Sequence, residues 1–168
     1  MKFLILFLFI FVSCSHFTQD GSKRLKSSEA PDFLKALVPQ TGNIDDVEYY
    51  QKYKNKMTTY KVKYELNEFE VSVTVDKDGK FLEKEEDLDF KNLPEKLKNE
   101  INDYLSTRFK KYRITETERR TDKDQKVFID VEIVSSDSKT PFLEISFDLE
   151  GNYISEEVEH VESIETLN

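Results

Sequence analysis

Residues 71–82 (VSVTVDKDGKFL) and residues 143–154 (LEISFDLEGNYI) align without a gap at an offset of 72. Apolar residues meet apolar ones at Val71/Leu143, Val73/Ile145, Val75/Phe147, Phe81/Tyr153 and Leu82/Ile154. Asp76/Asp148 and Gly79/Gly151 are identical, and Asp78 faces Glu150. Each stretch alternates apolar and polar side chains, the period of a strand with one buried face. Each then passes through Asp-x-x-Gly, a tight hairpin turn in which Asp supports the backbone and Gly takes a positive φ. Upstream, residues 32–34 (DFL) correspond to residues 103–105 (DYL) at an offset of 71.

Working outward, Leu93-Pro94 opens a helix, with Asn92 as its cap and Pro94 in its first turn. Leu97, Ile101, Tyr104, Leu105 and Phe109 then recur on one helical face. Strands follow at about 112–120, 126–134, 141–148 and from 152. Ahead of the first hairpin, a shorter helix spans about 30–38 and is stopped by Pro39 and Gly42. Strands are expected at about 45–54, 58–66, 69–76 and 80–86. The pattern predicts an α+β fold: two copies of a helix followed by a 3–4-stranded antiparallel meander, packed as one tandem-repeat domain. Units this short sit near the lower limit for an independent core, so the copies are expected to pack together or extend one sheet.

The chain has 168 residues, 25 Lys+Arg against 34 Asp+Glu, two His and one Cys. A formal charge of −9 argues against nucleic-acid binding. One cysteine excludes a disulfide scaffold, and too few N/S ligands are present for a zinc cluster. Residues 3–12 (FLILFLFIFV) form an apolar run behind Lys2, too short to cross a hydrocarbon core that needs about twenty residues. The run reads as a signal peptide. It ends in Phe11-Val12-Ser13-Cys14, which resembles the lipobox of bacterial lipoproteins, where cleavage precedes the cysteine and the thiol is acylated. That resemblance implies cleavage between Ser13 and Cys14 and a palmitate-bearing lipid anchor on Cys14. A secretory signal cut after Ser15 is the alternative. Ser15 rather than Asp resembles the outer-membrane sorting pattern. The expected organisation is therefore signal peptide 1–13, lipidated Cys and flexible tether 14–29, first repeat 30–90, second repeat 91–159 and acidic tail 160–168. The expected location is the cell envelope, lipid-anchored on the outer membrane and facing the periplasm.

A Leu-Pro helix start, several strands and an alternation closing in Asp-x-[Asp/Glu]-Gly resemble PepSY-like domains, including the group related in fold to proteinaceous β-lactamase inhibitors. The matching residues are Leu93-Pro94, residues 73–82 and residues 145–154. The first copy lacks the Leu-Pro start. The resemblance implies a non-enzymatic extracytoplasmic module that binds or restrains peptidases or other envelope proteins, with no catalytic residues and no cofactor.

Other features are weaker pointers. Residues 76–79 (DKDG) invite a calcium reading, but the acidic spacing does not match a calcium loop and the tight turn explains it. His16 and His160 have no neighbouring ligand set. G-x-S-x-G and phosphate-binding Gly loops do not occur. Residues 83–87 and 156–162 read as solvated edges or tails. Tyr49, Tyr50, Tyr53, Tyr60 and Tyr64 put five of the eight tyrosines within sixteen residues. Tyr49 and Tyr53 share one strand face, and Tyr60 and Tyr64 share a neighbouring one, so these four are the candidate partner-binding surface. Packing of the same rings across strands is the competing reading. Val158, Val161, Ile164 and Leu167 fit a short amphipathic helix or a frayed tail. The leading functional expectation is a membrane-anchored lipoprotein that binds another envelope protein as a peptidase inhibitor or adaptor. The alternatives are a small-ligand or cation-binding periplasmic module and a structural envelope protein.

Overall fold

Among the described residues, tight turns join β2 to β5 in succession, β6 to β7 and β8 to β9, while α1 and α2 fill the longer connections from β1 to β2 and from β5 to β6, and the resulting sheet has strand order β1 to β9 without a crossover. The computed structural model describes residues 21–136 and 142–158. In order, its elements are β1 (Gly21–Leu25), α1 (Asp32–Lys35), β2 (Ile44–Lys54), β3 (Met57–Leu66), β4 (Phe69–Asp76), β5 (Phe81–Asp87), α2 (Glu95–Arg108), β6 (Tyr112–Asp122), β7 (Val127–Ser135), β8 (Phe142–Phe147) and β9 (Tyr153–Val158). All neighbouring strands pair antiparallel.

The architecture corrects the expected pair of helix-plus-meander repeats: the described residues form one nine-stranded antiparallel sheet carrying two α-helices. Strands β5 and β6 pair through Glu83↔Asp122 to Asp87↔Glu118. That pairing satisfies backbone groups that two separate sheets would leave on open edges. The helix expected over 30–38 contracts to the four residues of α1, between Pro31 and Pro39. Gly21–Leu25, read from sequence as part of the tether, is strand β1 and pairs with β2. The stretch 83–87, read as a solvated edge, lies in β5 near the middle of the sheet. At the start of α2 the cap position is Pro94 without a side-chain cap bond, and Asn92 belongs to a preceding 3-10 turn (Phe90–Asn92).

Both helices lie on one face of the sheet and produce two separate hydrophobic clusters. Leu34 on α1 packs with Tyr49, Val62, Tyr64, Val71, Val73 and Val75 from β2 to β4. Leu97, Ile101 and Leu105, spaced four apart on α2, pack on Ile129, Val131 and Ile133 of β7 and Leu143, Ile145 and Phe147 of β8. Between the clusters, where β5 pairs with β6, the helix-side residues are polar: Lys84 pairs in register with Thr121, and Glu86 with Arg119.

Candidate functional site

Among the described residues no helix covers the opposite face of the sheet, and the same alternation that buries the apolar residues sends polar ones there. Lys61 and Lys63 of β3, Ser72 of β4, Glu83, Glu85 and Asp87 of β5, and Glu118 and Arg120 of β6 occupy it by register. It continues through Glu116 of β6, Asp130 and Glu132 of β7 and Glu144 and Ser146 of β8. The result is an acid-rich face with Lys61 and Lys63 towards one side and Arg120 in its middle.

Two networks organise it. Lys61 Nζ donates to Glu85 Oε2 at 2.7 Å, and Ser72 Oγ donates to the same oxygen at 2.5 Å. Arg120 Nε donates to Asp130 Oδ2 at 2.5 Å, and its Nη2 donates to Asp130 Oδ1 at 3.3 Å and Ser146 Oγ at 3.2 Å. Asp130 is buried at 2% exposure, so Arg120 offsets a desolvation that would otherwise be costly. The guanidinium also lies 4.6 Å from the Phe128 ring centroid, a favourable cation–π position.

The carboxylates between these networks are not all neutralised. Asp87, Glu116 and Glu118 bring carboxylate oxygens within 4.8 Å of one another. Burial, with Glu85, Glu116 and Asp87 nearby, pushes Glu118 up to about 8. Burial and Glu70 raise Asp87, and burial and Asp87 raise Glu116. Burial also works against the charged form of Glu85, but Lys61 and Ser72 hold its carboxyl below the usual range. Burial and the Glu85 carboxylate push its neighbour Glu83 up. On the cationic side, burial and Lys61 lower Lys52. The arrangement concentrates proton affinity at the β5–β6 junction and suits a cationic group. Asp87, Glu116 and Glu118 are the residues that could hold a metal ion.

The predicted tyrosines fall elsewhere. Tyr49 and Tyr64 are buried at 8% and 4% exposure in the cluster beneath α1. Tyr60 packs edge-on to Phe33, with ring centroids 5.7 Å apart. Tyr53 is exposed and lines a shallow cleft with Gly21, Ser22, Lys23 and Gln51. By register all four lie on the helix side of the sheet; Tyr49, Tyr60 and Tyr64 pack into the cluster with α1, and Tyr53 alone is exposed.

The predicted turn residues sit at hairpin ends. Asp76 Oδ1 accepts from the backbone N–H of Asp78 and of Lys80, both at 2.9 Å, with Gly79 at φ +81°. Those two amides hold the Asp76 carboxyl below its ordinary value. Asp148 Oδ1 accepts from Glu150 at 2.9 Å and Asn152 at 2.8 Å, with Gly151 at φ +90°. A third turn has the same bonds without the glycine: Asp122 Oδ1 accepts from Asp124 at 2.8 Å and Lys126 at 2.9 Å, and Gln125 takes the left-handed position at φ +62°. Sequence reading passed over it because Gln hides the turn signature. Ser13, Cys14, His16, His160 and the 160–168 tail lie outside the described residues. The acidic face was missed too, although its signal was present as polar residues in antiphase to the apolar ones.

No family model matches the chain, and no curated protein matches it. Solved structures do. A DUF2874 family protein from Bacteroides uniformis ATCC 8492 superposes with a TM-score of 0.59 at 16% identity, covering 76% of this chain and 88% of that one. A BLIP-like protein from Bacteroides fragilis NCTC 9343 superposes with a TM-score of 0.55 at 15% identity, covering 79% and 86%. The fold is BLIP-like, that is, β-lactamase-inhibitor-like. A chain from Bacteroides eggerthii DSM 20697, provisionally designated periplasmic, has a TM-score of 0.58 at 15% identity, covering 76% and 88%. At these identities the BLIP-like likeness concerns the fold alone.

Proposed function

We propose that the chain is a non-enzymatic envelope lipoprotein, anchored through Cys14 on the outer membrane and facing the periplasm, whose open sheet face binds another extracytoplasmic protein as a peptidase inhibitor or adaptor. One observation carries the reading: the Asp87, Glu116 and Glu118 carboxylates crowd on an uncovered face, and Glu118 is pushed up to about 8. A Lys or Arg side chain from a partner relieves that crowding, so the fitting partner presents a basic surface. The BLIP-like fold and the PepSY-like sequence pattern support a binding role, and the Ser13-Cys14 junction supports the anchor.

Crosslinking capture from envelope extract with the full chain, against a Glu116→Lys/Glu118→Lys variant, tests the binding role. A dominant partner with a basic surface, lost in the variant, supports it; equal capture by both chains sinks it. Palmitate labelling that disappears in Cys14→Ala supports the anchor, and labelling that survives refutes it.

A second reading, favoured by the 4.8 Å spacing of those carboxylate oxygens, is a cation-binding module. A ligand that binds only the native state raises the melting temperature. The calcium version predicts such a rise at millimolar calcium, abolished by Glu118→Gln, and fails if calcium leaves the midpoint unchanged.

A further inference from the structure

Strands β1 and β9 are the two edges of the sheet, each with one neighbouring strand among the described residues. An edge strand presents a row of backbone donors and acceptors ready to pair. All six residues of β9 are exposed, including Tyr153, Ile154 and Val158. The two edges differ in charge. Strand β1 carries Lys23 and Arg24, whose side chains are 66% and 65% exposed, and β9 carries Glu156 and Glu157. Pairing β9 with a second β9 sets these glutamates against each other, and pairing β1 with β1 does the same to Lys23 and Arg24. Like charges placed opposite one another destabilise such pairs.

The unlike pairing has a register that matches residue by residue. In a meander without crossovers, odd-numbered strands run in one direction, so β1 and β9 are parallel. A second copy translated along the sheet therefore sets its β1 parallel to β9. Aligning residues 22–25 (SKRL) with residues 155–158 (SEEV) puts Lys23 beside Glu156, Arg24 beside Glu157 and Leu25 beside Val158. The faces agree as well. Leu25 pairs with buried Tyr49, and Val158 pairs with buried Leu143, so both lie on the helix side with Lys23 and Glu156. Arg24 and Glu157 lie on the open side, paired with Tyr50 and Glu144. The existing Arg24–Glu48 and Arg108–Glu156 ion pairs stand next to this seam and extend into it.

We propose that copies of this chain associate head to tail, β1 of one copy adding as a parallel strand to β9 of the next with Lys23/Glu156, Arg24/Glu157 and Leu25/Val158 side by side. The contact is heterologous and leaves a free edge at each end, so it propagates along the sheet. Its area is that of one strand, which makes the association weak and sensitive to salt. It is independent of what binds the open face.

The register has a chemical test. Parallel neighbours stand about 4.8 Å apart, inside the roughly 4.4–6.8 Å Cα range of a disulfide. Two full-length chains, each carrying Cys14→Ser in detergent solution, receive Ser22→Cys and Ser155→Cys respectively. On oxidation at low salt, the mixed disulfide is expected to form about tenfold faster than either homodimer, and adding about 0.5 M salt slows it. Adding Glu157→Lys to the S155C chain is expected to slow it about tenfold, and Arg24→Glu in the S22C chain restores it. Homodimers that form as fast as the mixed species overturn the proposal, and so does a mixed rate that ignores the charge swap.

Discussion

Arg119 on β6 grips Glu86 on β5 across their register pair, with Nε at 2.9 Å and Nη2 at 2.6 Å from one carboxylate oxygen. This contact stands on the strand pair that joins the two hydrophobic clusters, where the helix side of the sheet has ion pairs instead of a core. Lys84 completes the clip, its Nζ 2.8 Å from Glu86 Oε1. Burial opposes charge on Glu86, but hydrogen bonds from Lys84 and Arg119 hold its carboxyl below the ordinary value. The pair is partly exposed, so Glu86→Ala is expected to cost only about 0.5–1 kcal/mol. Its clearer effect is local: amide exchange in β5 and β6 accelerates more than exchange in β7, as measured by native-state hydrogen exchange. Equal acceleration throughout the sheet contradicts a seam between clusters.

Thr117 sits at the same seam, buried, with a hydroxyl that finds no partner among the described residues. Replacing it with the isosteric valine removes an unsatisfied polar group. Thr117→Val is expected to stabilise the chain by about 1 kcal/mol in urea unfolding. A loss of stability shows that the hydroxyl is bonded in solution.

Glu118 makes stability depend on pH. Its folded-state pKa is raised to about 8 from the ordinary 4.5 of a glutamate, so the folded chain binds this proton more tightly than the unfolded chain. The contribution is fully present below about 4.5 and is lost as pH rises towards 8. Glu118→Gln is expected to flatten that decline, by on the order of 1 kcal/mol after allowance for solvent screening. Melting curves between pH 5 and pH 9 check it; parallel curves for the two proteins rule it out.

The three Asp turns predict opposite responses to glycine. Gln125 holds the left-handed position without the freedom of glycine, so Gln125→Gly is expected to stabilise by about 0.5–1 kcal/mol. Gly151 has both a positive φ and no room, since an added Cβ would lie 2.5 Å from Glu100 Cβ on α2. Gly151→Ala is expected to cost about 2–4 kcal/mol by strain and displacement of α2 from the hairpin. Urea midpoints of the two variants that move in the same direction contradict the shared geometry.

Leu34 is the one buried residue of α1, fully enclosed by β2–β4 side chains. Leu34→Ala is expected to cost about 2–4 kcal/mol and to loosen exchange in β2–β4 before β7 and β8. Simultaneous loosening of both clusters shows that they unfold as one unit.

Most strands are legible because their alternation is local. Val71, Val73 and Val75, and likewise Ile129, Val131 and Ile133, announce a buried face by period alone. Helix α2 is legible for the same reason, through Leu97, Ile101 and Leu105. Strand β1 was missed since five residues with three exposed polar side chains show no period until β2 lies beside them. The tyrosines misled because an aromatic strand face looks alike whether a partner or α1 covers it. Tyr64 is buried in the cluster with α1, whereas Tyr53, on the same face of β2 but outside that cluster, is exposed.

The local periods are written in the chain: which residues alternate, where Asp and Gly turn it, and where a 3.6-residue repeat makes α2. The folded arrangement alone shows that β5 joins β6 in one sheet, that α1 is a single turn, and that Glu118 lies among neighbouring carboxylates on the face without a helix among the described residues. The physical reason is range. Alternation and turn chemistry act over a few residues, whereas the pairing of two polar strands and the desolvation of a carboxylate depend on groups far apart in the chain.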